Sequence, residues 1–348
     1  MRSVMALWKS PVGGFVDTVL RGVGQVLLQN NPLSGAIFLA GIFVSSWVAG
    51  LYALLGTVVA TGTALLVGVP GASVRQGLYG FNGTLTAIGL AAYVTRGPAL
   101  VGYVVFACSA VTIVAAAIYN FVNSEHVPTL TAAFVATAWV FLAGLRQFGA
   151  LGGAAALTAP RLPTRSSSGA STPTPSDLLF GFFHGFAEVM LQTSVWTGVA
   201  LLVGILVNSR ISAIAAAAGS LIGFGVAWGL GASETTLRGG LAGYNAVLTA
   251  IALAGLYYLL SYRSALFAAV AAAVSVVVEG MFGTVLAPVG LPTLTAPFVV
   301  TTWLCLFAAS SFTRLHAVHP EDATTPEANL RSVSRRWDSL TPRNAGTR

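Results

Sequence analysis

Charge is what this chain has least of. Asp, Glu, Lys and Arg make up 8% of its 348 residues, against about a quarter in an ordinary soluble domain. So few charges cannot clothe a water-facing surface, and a soluble globular protein is excluded. The two cysteines, Cys108 and Cys305, lie inside apolar runs, which argues against a disulfide framework or a thiolate metal cluster. Of the four histidines, His126, His316 and His319 fall in loops or the tail. No nucleophile–base pair and no His/Asp/Glu cluster stands within the apolar runs, so an intramembrane enzyme is disfavoured and neither a metal nor another cofactor is expected. The short alternating segments of a membrane β-barrel are absent. Basic residues are scattered at segment ends and in the tail (Arg314, Arg331, Arg335, Arg336, Arg343, Arg348), so the net charge of +7 does not form a nucleic-acid face.

What is there in abundance is apolar. Hydrophobic residues reach 55% and come as runs near 34–50, 51–69, 77–94, 98–121 and 130–148, then 195–208, 211–230, 240–260, 264–287 and 294–312. Runs of roughly 20 residues match a bilayer core of ~30 Å at 1.5 Å per residue. Ten helices apolar all round cannot pack as a soluble core. The fold class is an all-α integral membrane protein in contact with lipid, and its many small residues suit close helix contact there.

The runs repeat. Residues 77–90 return at 240–253, about 163 positions later, with nine of fourteen identical, and Pro128-Thr129-Leu130-Thr131 returns as Pro292-Thr293-Leu294-Thr295. Five spans per copy make the second enter from the opposite side, giving an inverted repeat. Ahead of the first full span in each half comes a short, polar-dotted segment, 16–30 and 180–193. It carries Asp17, Arg21, Gln25, Gln29, Asn30 and Asn31 in one copy and His184, Glu188, Gln192 and Thr193 in the other. Both read as half-helices buried in protein or lining a cavity. The expected divisions are an N-terminal cytoplasmic segment 1–15, a first repeat 16–150, a Pro/Ser/Thr-rich linker 151–177, a second repeat 178–313 and a disordered tail 314–348. Arginines near the last span, with Arg2 and Lys9, place both termini in the cytoplasm by the positive-inside rule.

Three stretches carry a resemblance. Residues 25–35, Gly80-Phe81-Asn82-Gly83 and Leu294-Thr295-Ala296-Pro297-Phe298 resemble the urea transporter family, and the likeness runs from about Asp17 to Phe312. It implies a homotrimer in the plasma membrane, each subunit with its own narrow pore, passing urea passively without ion or ATP. By the same resemblance the pore groups are Gln25 and Glu188 on the half-helices, and Thr131 and Thr295 at the starts of the last spans. Phe81, Tyr244, Leu85 and Leu248 form the slot walls, Val189 lies beside Glu188, and Leu28 and Leu191 line the path where the family often has Phe. Tyr244 also replaces a Phe, and Ala133 stands opposite Pro297. These departures imply a wider or more polar slot and leave open a channel for ammonia, water or short amides.

The residue types suit the task. Urea has four N–H donors and a carbonyl on a flat, uncharged frame, and leaving such groups unpaired costs ~2–7 kcal/mol each. An acceptor ladder along one edge with greasy faces around it meets that need. Each residue also has a plain structural role open to it. Thr131 and Thr295 can cap the helices that follow, Gln25 can glue helices together, and Phe81 and Tyr244 can be packing aromatics. Asn82 and Asn245 are expected to tie the helix break. Arg75 and Arg238 read as snorkelling anchors, Arg21 and His184 as equivalents near the mouths, and Glu279 has no counterpart in the first half.

Overall fold

The computed structural model describes residues 10–148, 157–163 and 172–332. Arg2, Lys9 and the tail arginines from Arg335 onward lie outside the described residues, as does most of the linker.

Seven helices form each half among the described residues. In the first half they are α1 (Pro11–Gln25), α2 (Pro32–Ser45), α3 (Trp47–Leu66), α4 (Gly71–Arg75), α5 (Gly80–Tyr93), α6 (Pro98–Val122) and α7 (Ala132–Gly144). The second half repeats the order as α8 (Pro175–Ala187), α9 (Val195–Asn208), α10 (Arg210–Gly229), α11 (Glu234–Arg238), α12 (Tyr244–Ile251), α13 (Tyr262–Leu286) and α14 (Ala296–Phe307). Helices α3 and α10, at 20 residues, and α6 and α13, at 25, are long enough to cross a bilayer alone. The others are shorter, and α8 with its 3-10 extension meets α9 at a 75° bend. Leu66, Phe106, Phe121, Trp196, Ile214 and Leu266 lie exposed on the outside, an apolar belt that suits lipid. The protein is a multi-pass membrane protein.

Helices α1 and α8 start about five residues before the segments expected from polarity alone. Ser10 Oγ accepts the Gly13 N–H at 3.0 Å and Pro11 follows. Thr174 and Asp177 form a capping box, with Pro175 leading the helix. A capped, proline-led first turn is set by local hydrogen bonds rather than by hydrophobicity, so α8 begins inside the stretch 151–177 that composition reads as linker.

The halves hold each other by exchanged bonds. Ser34 Oγ donates to the Gly204 carbonyl at 2.7 Å, and its counterpart Thr197 Oγ1 donates to the Gly41 carbonyl at 2.8 Å. Trp139 Nε1 donates to the Pro292 carbonyl at 2.8 Å, and Trp303 Nε1 to the Pro128 carbonyl at 2.9 Å. Contacts swapped in this way are the pattern of a two-fold relation. Within the two halves, α5 and α12 cross the full-length helices α3 and α10 at glycine. A methyl group on Gly56 collides with the Gly83 carbonyl, and one on Gly219 with the Ala246 carbonyl 2.6 Å away.

One asymmetry stands out. Helix α5 continues to Tyr93, whereas its counterpart α12 gives way to a π turn, Ala252–Leu256, in which Gly255 has φ +117. Residues 314–332, read from composition as the start of a disordered tail, fold onto this break. Asn329 Nδ2 donates to the Gly255 and Leu256 carbonyls at 2.9 and 3.0 Å. The Val318 N–H bonds the Tyr257 carbonyl at 2.9 Å, and the Leu259 N–H bonds the His316 carbonyl at 2.8 Å. Polar pairing to opened backbone holds the segment, which is why its low apolar content is a poor guide to its order.

Candidate functional site

The half-helices end in strained turns. Leu28 and Leu191, at matching positions, have φ +60 and +51, a left-handed conformation that costs a non-glycine residue of order 1–3 kcal/mol. Gln29 Nε2 reaches back to the Leu27 carbonyl at 2.7 Å, and Gln192 Nε2 to the Met190 and Leu191 carbonyls at 3.0 and 2.9 Å. These glutamines cap the turns. The same strain recurs before the last spans, where Leu130 and Leu294 both have φ +49. Strain kept at equal positions in two copies points to function.

Asn82 and Asn245 tie those second breaks, as their position suggests. Asn82 Oδ1 accepts the Phe134 N–H at 3.0 Å, and Asn245 Oδ1 accepts the Phe298 N–H at 3.1 Å. The first turns of α7 and α14 are thereby fixed to α5 and α12. The threonines between do not cap. Neither Thr131 nor Thr295 makes a side-chain capping bond; their hydroxyls share a hydrogen bond with each other at 2.7 Å. Both are 3% exposed.

Around this bond, residues from both halves form one apolar cluster. It includes Phe81, Leu85, Val189, Tyr244 and Leu248, with Leu28 and Leu191 packed against it. Leu85 and Leu248 are fully enclosed. Gln25 and Glu188, at the ends of α1 and α8, stay half-buried. Burial therefore rises from the polar half-helix ends to the threonine pair. Gln25 Nε2 donates to the Gln76 carbonyl at 3.0 Å, which leaves its oxygen as an acceptor. Neither of the two ion pairs among the described residues involves Glu188. Tyr244 does not add a free hydroxyl to the slot, because its oxygen donates to the Leu294 carbonyl at 2.7 Å and meets Thr293 Oγ1 at 3.2 Å.

The half-helix starts are braced. Arg21 bonds Asp17 at 2.6 Å and the Asn30 side chain at 2.9 Å. His184 Nδ1 pairs with the Arg238 carbonyl at 2.8 Å. Arg238 is paired with Asp177 at 3.0 Å and stacked over Phe180 at 4.2 Å. The signal for Trp139 and Trp303 was present in their repeat-matched spacing.

Among the described residues, no group of three or more His, Cys, Asp or Glu side chains could hold a metal ion. The arrangement can accept N–H donors at both half-helix ends and at the midpoint, between apolar walls.

Comparison with known proteins agrees with this chemistry. A family model described as urea transporter matches residues 16–310. Urea transporter 1 of Ovis aries is 30% identical over 321 residues, covering 90% of this chain and 82% of that protein. Urea transporter 1 of Capra hircus matches to the same extent, and that of Rattus norvegicus is 27% identical over 321 residues.

Proposed function

Since the chain belongs to the urea transporter family, we propose that it is a passive, selective urea channel of the plasma membrane, with one pore per subunit between its two halves. It is a transport protein and not an enzyme. The observation that carries the pore's location is the Thr131–Thr295 bond, where the two halves meet inside walls built equally from both. The axis relating the halves lies in the membrane plane, so the second copy runs inverted, and the exchanged Ser34, Thr197, Trp139 and Trp303 bonds support that arrangement. Three subunits assemble in the lipid with both termini cytoplasmic.

Urea enters edge-on. Its N–H groups exchange water first for Gln25 or Glu188, then for the threonine pair, and then for the opposite carboxylate or amide. Each stage returns part of the ~2–7 kcal/mol that an unpaired polar group costs. Phe81, Tyr244, Leu85 and Leu248 hold the flat molecule and exclude surplus water, while no stage binds so tightly as to prevent exit. Hydrated ions are rejected because their dehydration is far more costly. The captured Tyr244 hydroxyl favours urea over the wider amide or water path that a free phenol would open.

Stopped-flow light scattering on proteoliposomes tests this reading. Fast urea entry, slow glycerol and acetamide entry, and no dependence on proton or sodium gradients are expected. Water or amide flux without a urea preference overturns it.

A further inference from the structure

Helix α6 runs out into a 3-10 turn, Asn123–Glu125, and α13 into the matching turn Ala287–Val289. The residue that follows is left-handed in both copies, Gly290 at φ +58 and His126 at φ +54. Glycine takes that conformation freely, and histidine takes it at a cost. In the second half the linker closes over this corner, where a side chain on Gly290 would collide with the Thr158 carbonyl. In the first half the corner carries an imidazole, and the segment after the last span lies over it. That segment is tied down on both sides of the contact, by Val318 N–H to the Tyr257 carbonyl at 2.9 Å and by Leu259 N–H to the His316 carbonyl at 2.8 Å.

The meeting point is His319. Its ring lies 4.6 Å from the His126 ring, centroid to centroid, with the planes at 86°. Both side chains are exposed at the edge of a 310 Å³ cavity that Ser124, Glu125 and Ser310 also line. Neither imidazole has an ion pair or a side-chain hydrogen bond among the described residues, where the one bonded histidine ring is that of His184. The cavity lining holds no lysine or arginine among the described residues, so Glu125 is its one fixed charge. Two uncommitted imidazoles, one from each end of the chain's fold, thus face each other beside a carboxylate.

Their spacing suits a shared ion. Turning either ring about its Cβ–Cγ bond barely moves its centroid, so the centroid separation is fixed by the backbone rather than by the ring rotamers. An ion about 2.1 Å from one nitrogen of each ring lies about 3.2 Å from each centroid, which puts ligands at a right angle about 4.6 Å apart and tetrahedral ones about 5.3 Å apart. The observed separation matches the first and is within a small shift of the second. We propose that His126 and His319 form a binding site for a transition-metal dication of the imidazole-preferring kind, nickel, copper or zinc. The site is a pair of imidazoles completed by water, with Glu125 balancing the charge, and not a cage of three or four side chains. A bound ion staples residues 316–320 to the corner that leads into Pro128. The inference stands apart from the urea-pore reading and holds whatever the pore carries.

Isothermal titration calorimetry of the full chain in detergent at pH 7.5, made without a polyhistidine tag and with nickel chloride as the probe, tests the site. One Ni²⁺ per chain is expected, with no heat from magnesium chloride. His126→Gly gives the corner the residue its twin already holds, and His319→Ala changes an exposed side chain, so both variants keep the fold. Each should weaken nickel binding about tenfold or more, because a chelate loses its linked second contact, and the double variant should lose little beyond that. His316→Ala should bind as the parent does. Hydrogen exchange supplies a readout of the staple: at a hundred times the dissociation constant, exchange of the Val318 N–H should slow about a hundredfold in the parent and be unchanged in His319→Ala. No saturable binding, equal binding of magnesium, loss of binding through His316, or full-strength binding in either single variant means an adventitious ion only and overturns the proposal. Nickel binding that leaves Val318 exchange unaltered overturns it as well, since the ion then does not bridge the two segments.

Discussion

The hydroxyl oxygens of Thr131 and Thr295 lie 2.7 Å apart although 164 residues separate them along the chain. One must donate to the other, so at any moment the pair keeps a lone pair free for a passing N–H and holds one proton of its own in reserve. Either threonine can take either role.

Replacing both threonines with valine keeps the volume and removes the hydroxyls. With two hydrogen bonds of about 1 kcal/mol each absent at the midpoint, urea flux should fall roughly thirtyfold. Stopped-flow rates per reconstituted protein, with assembly checked by size-exclusion chromatography, give the answer. Undiminished flux in a well-assembled double variant removes the pair from the path.

At Glu188 the shape and the acceptor can be separated. Glu188→Gln retains a carbonyl oxygen and should stay within a few-fold of the parent, a change of about 1 kcal/mol or less. Glu188→Leu presents only methyl groups to urea at the pore end and should nearly abolish flux. The same assay reads both. Equal flux from the two shows that position 188 is off the path.

Trp139 and Trp303 predict matched losses of stability. Each indole donates to a proline carbonyl of the other half, so Trp→Phe at either position leaves a carbonyl unpaired and costs about 1–3 kcal/mol. Thermal unfolding in detergent should show similar drops for the two single variants and near-additive loss in the double. A drop at only one position contradicts the exchanged arrangement.

The segment after the last span should loosen in acid. The Glu327 carboxylate accepts the Ser209 hydroxyl at 2.7 Å and the Ile211 N–H at 3.0 Å. Burial pushes its carboxyl up, but these hydrogen bonds outweigh burial and hold it below its ordinary value of 4.5. A carboxyl depressed on folding adds stability above its unfolded value and loses it as pH falls through the folded one. Hydrogen exchange at residues 316–330 should accordingly rise as pH drops below about 4.5 once the intrinsic pH dependence of exchange is removed, and Glu327→Gln should flatten the change. Protection that stays constant through that range assigns the docking to Asn329 instead.

Much of the fold could be read in advance, because in a bilayer the apolar runs, the repeat and the polar interruptions are the fold's own constraints. Gln25 and Glu188, Phe81 and Tyr244, and Leu85 and Leu248 are visible as pairs from spacing alone. Their meeting is not visible, since the Thr131–Thr295 contact depends on how two distant halves are set against each other. Helix starts at Pro11 and Pro175 escaped a polarity pattern because capping acts through one hydroxyl and one backbone N–H. The fate of Tyr244 was also hidden. In sequence it adds a hydroxyl to the slot; in space Leu294 has already taken that hydroxyl. Residues 316–330 carry no apolar period, and what explains their order is polar: the carbonyls opened at Gly255 and Leu256, the backbone bonds at Tyr257 and Leu259, and the Glu327 bonds to Ser209 and Ile211.

The exchanged tryptophan and hydroxyl bonds also govern how the molecule is made. When the first half has left the ribosome, the Trp139 indole and the Ser34 hydroxyl lack the acceptors that the second half supplies, and the Pro128 carbonyl lacks its indole donor. Groups left so in hydrocarbon cost several kcal/mol each, so the early product is a waiting intermediate whose inner face must be shielded until translation delivers its twin.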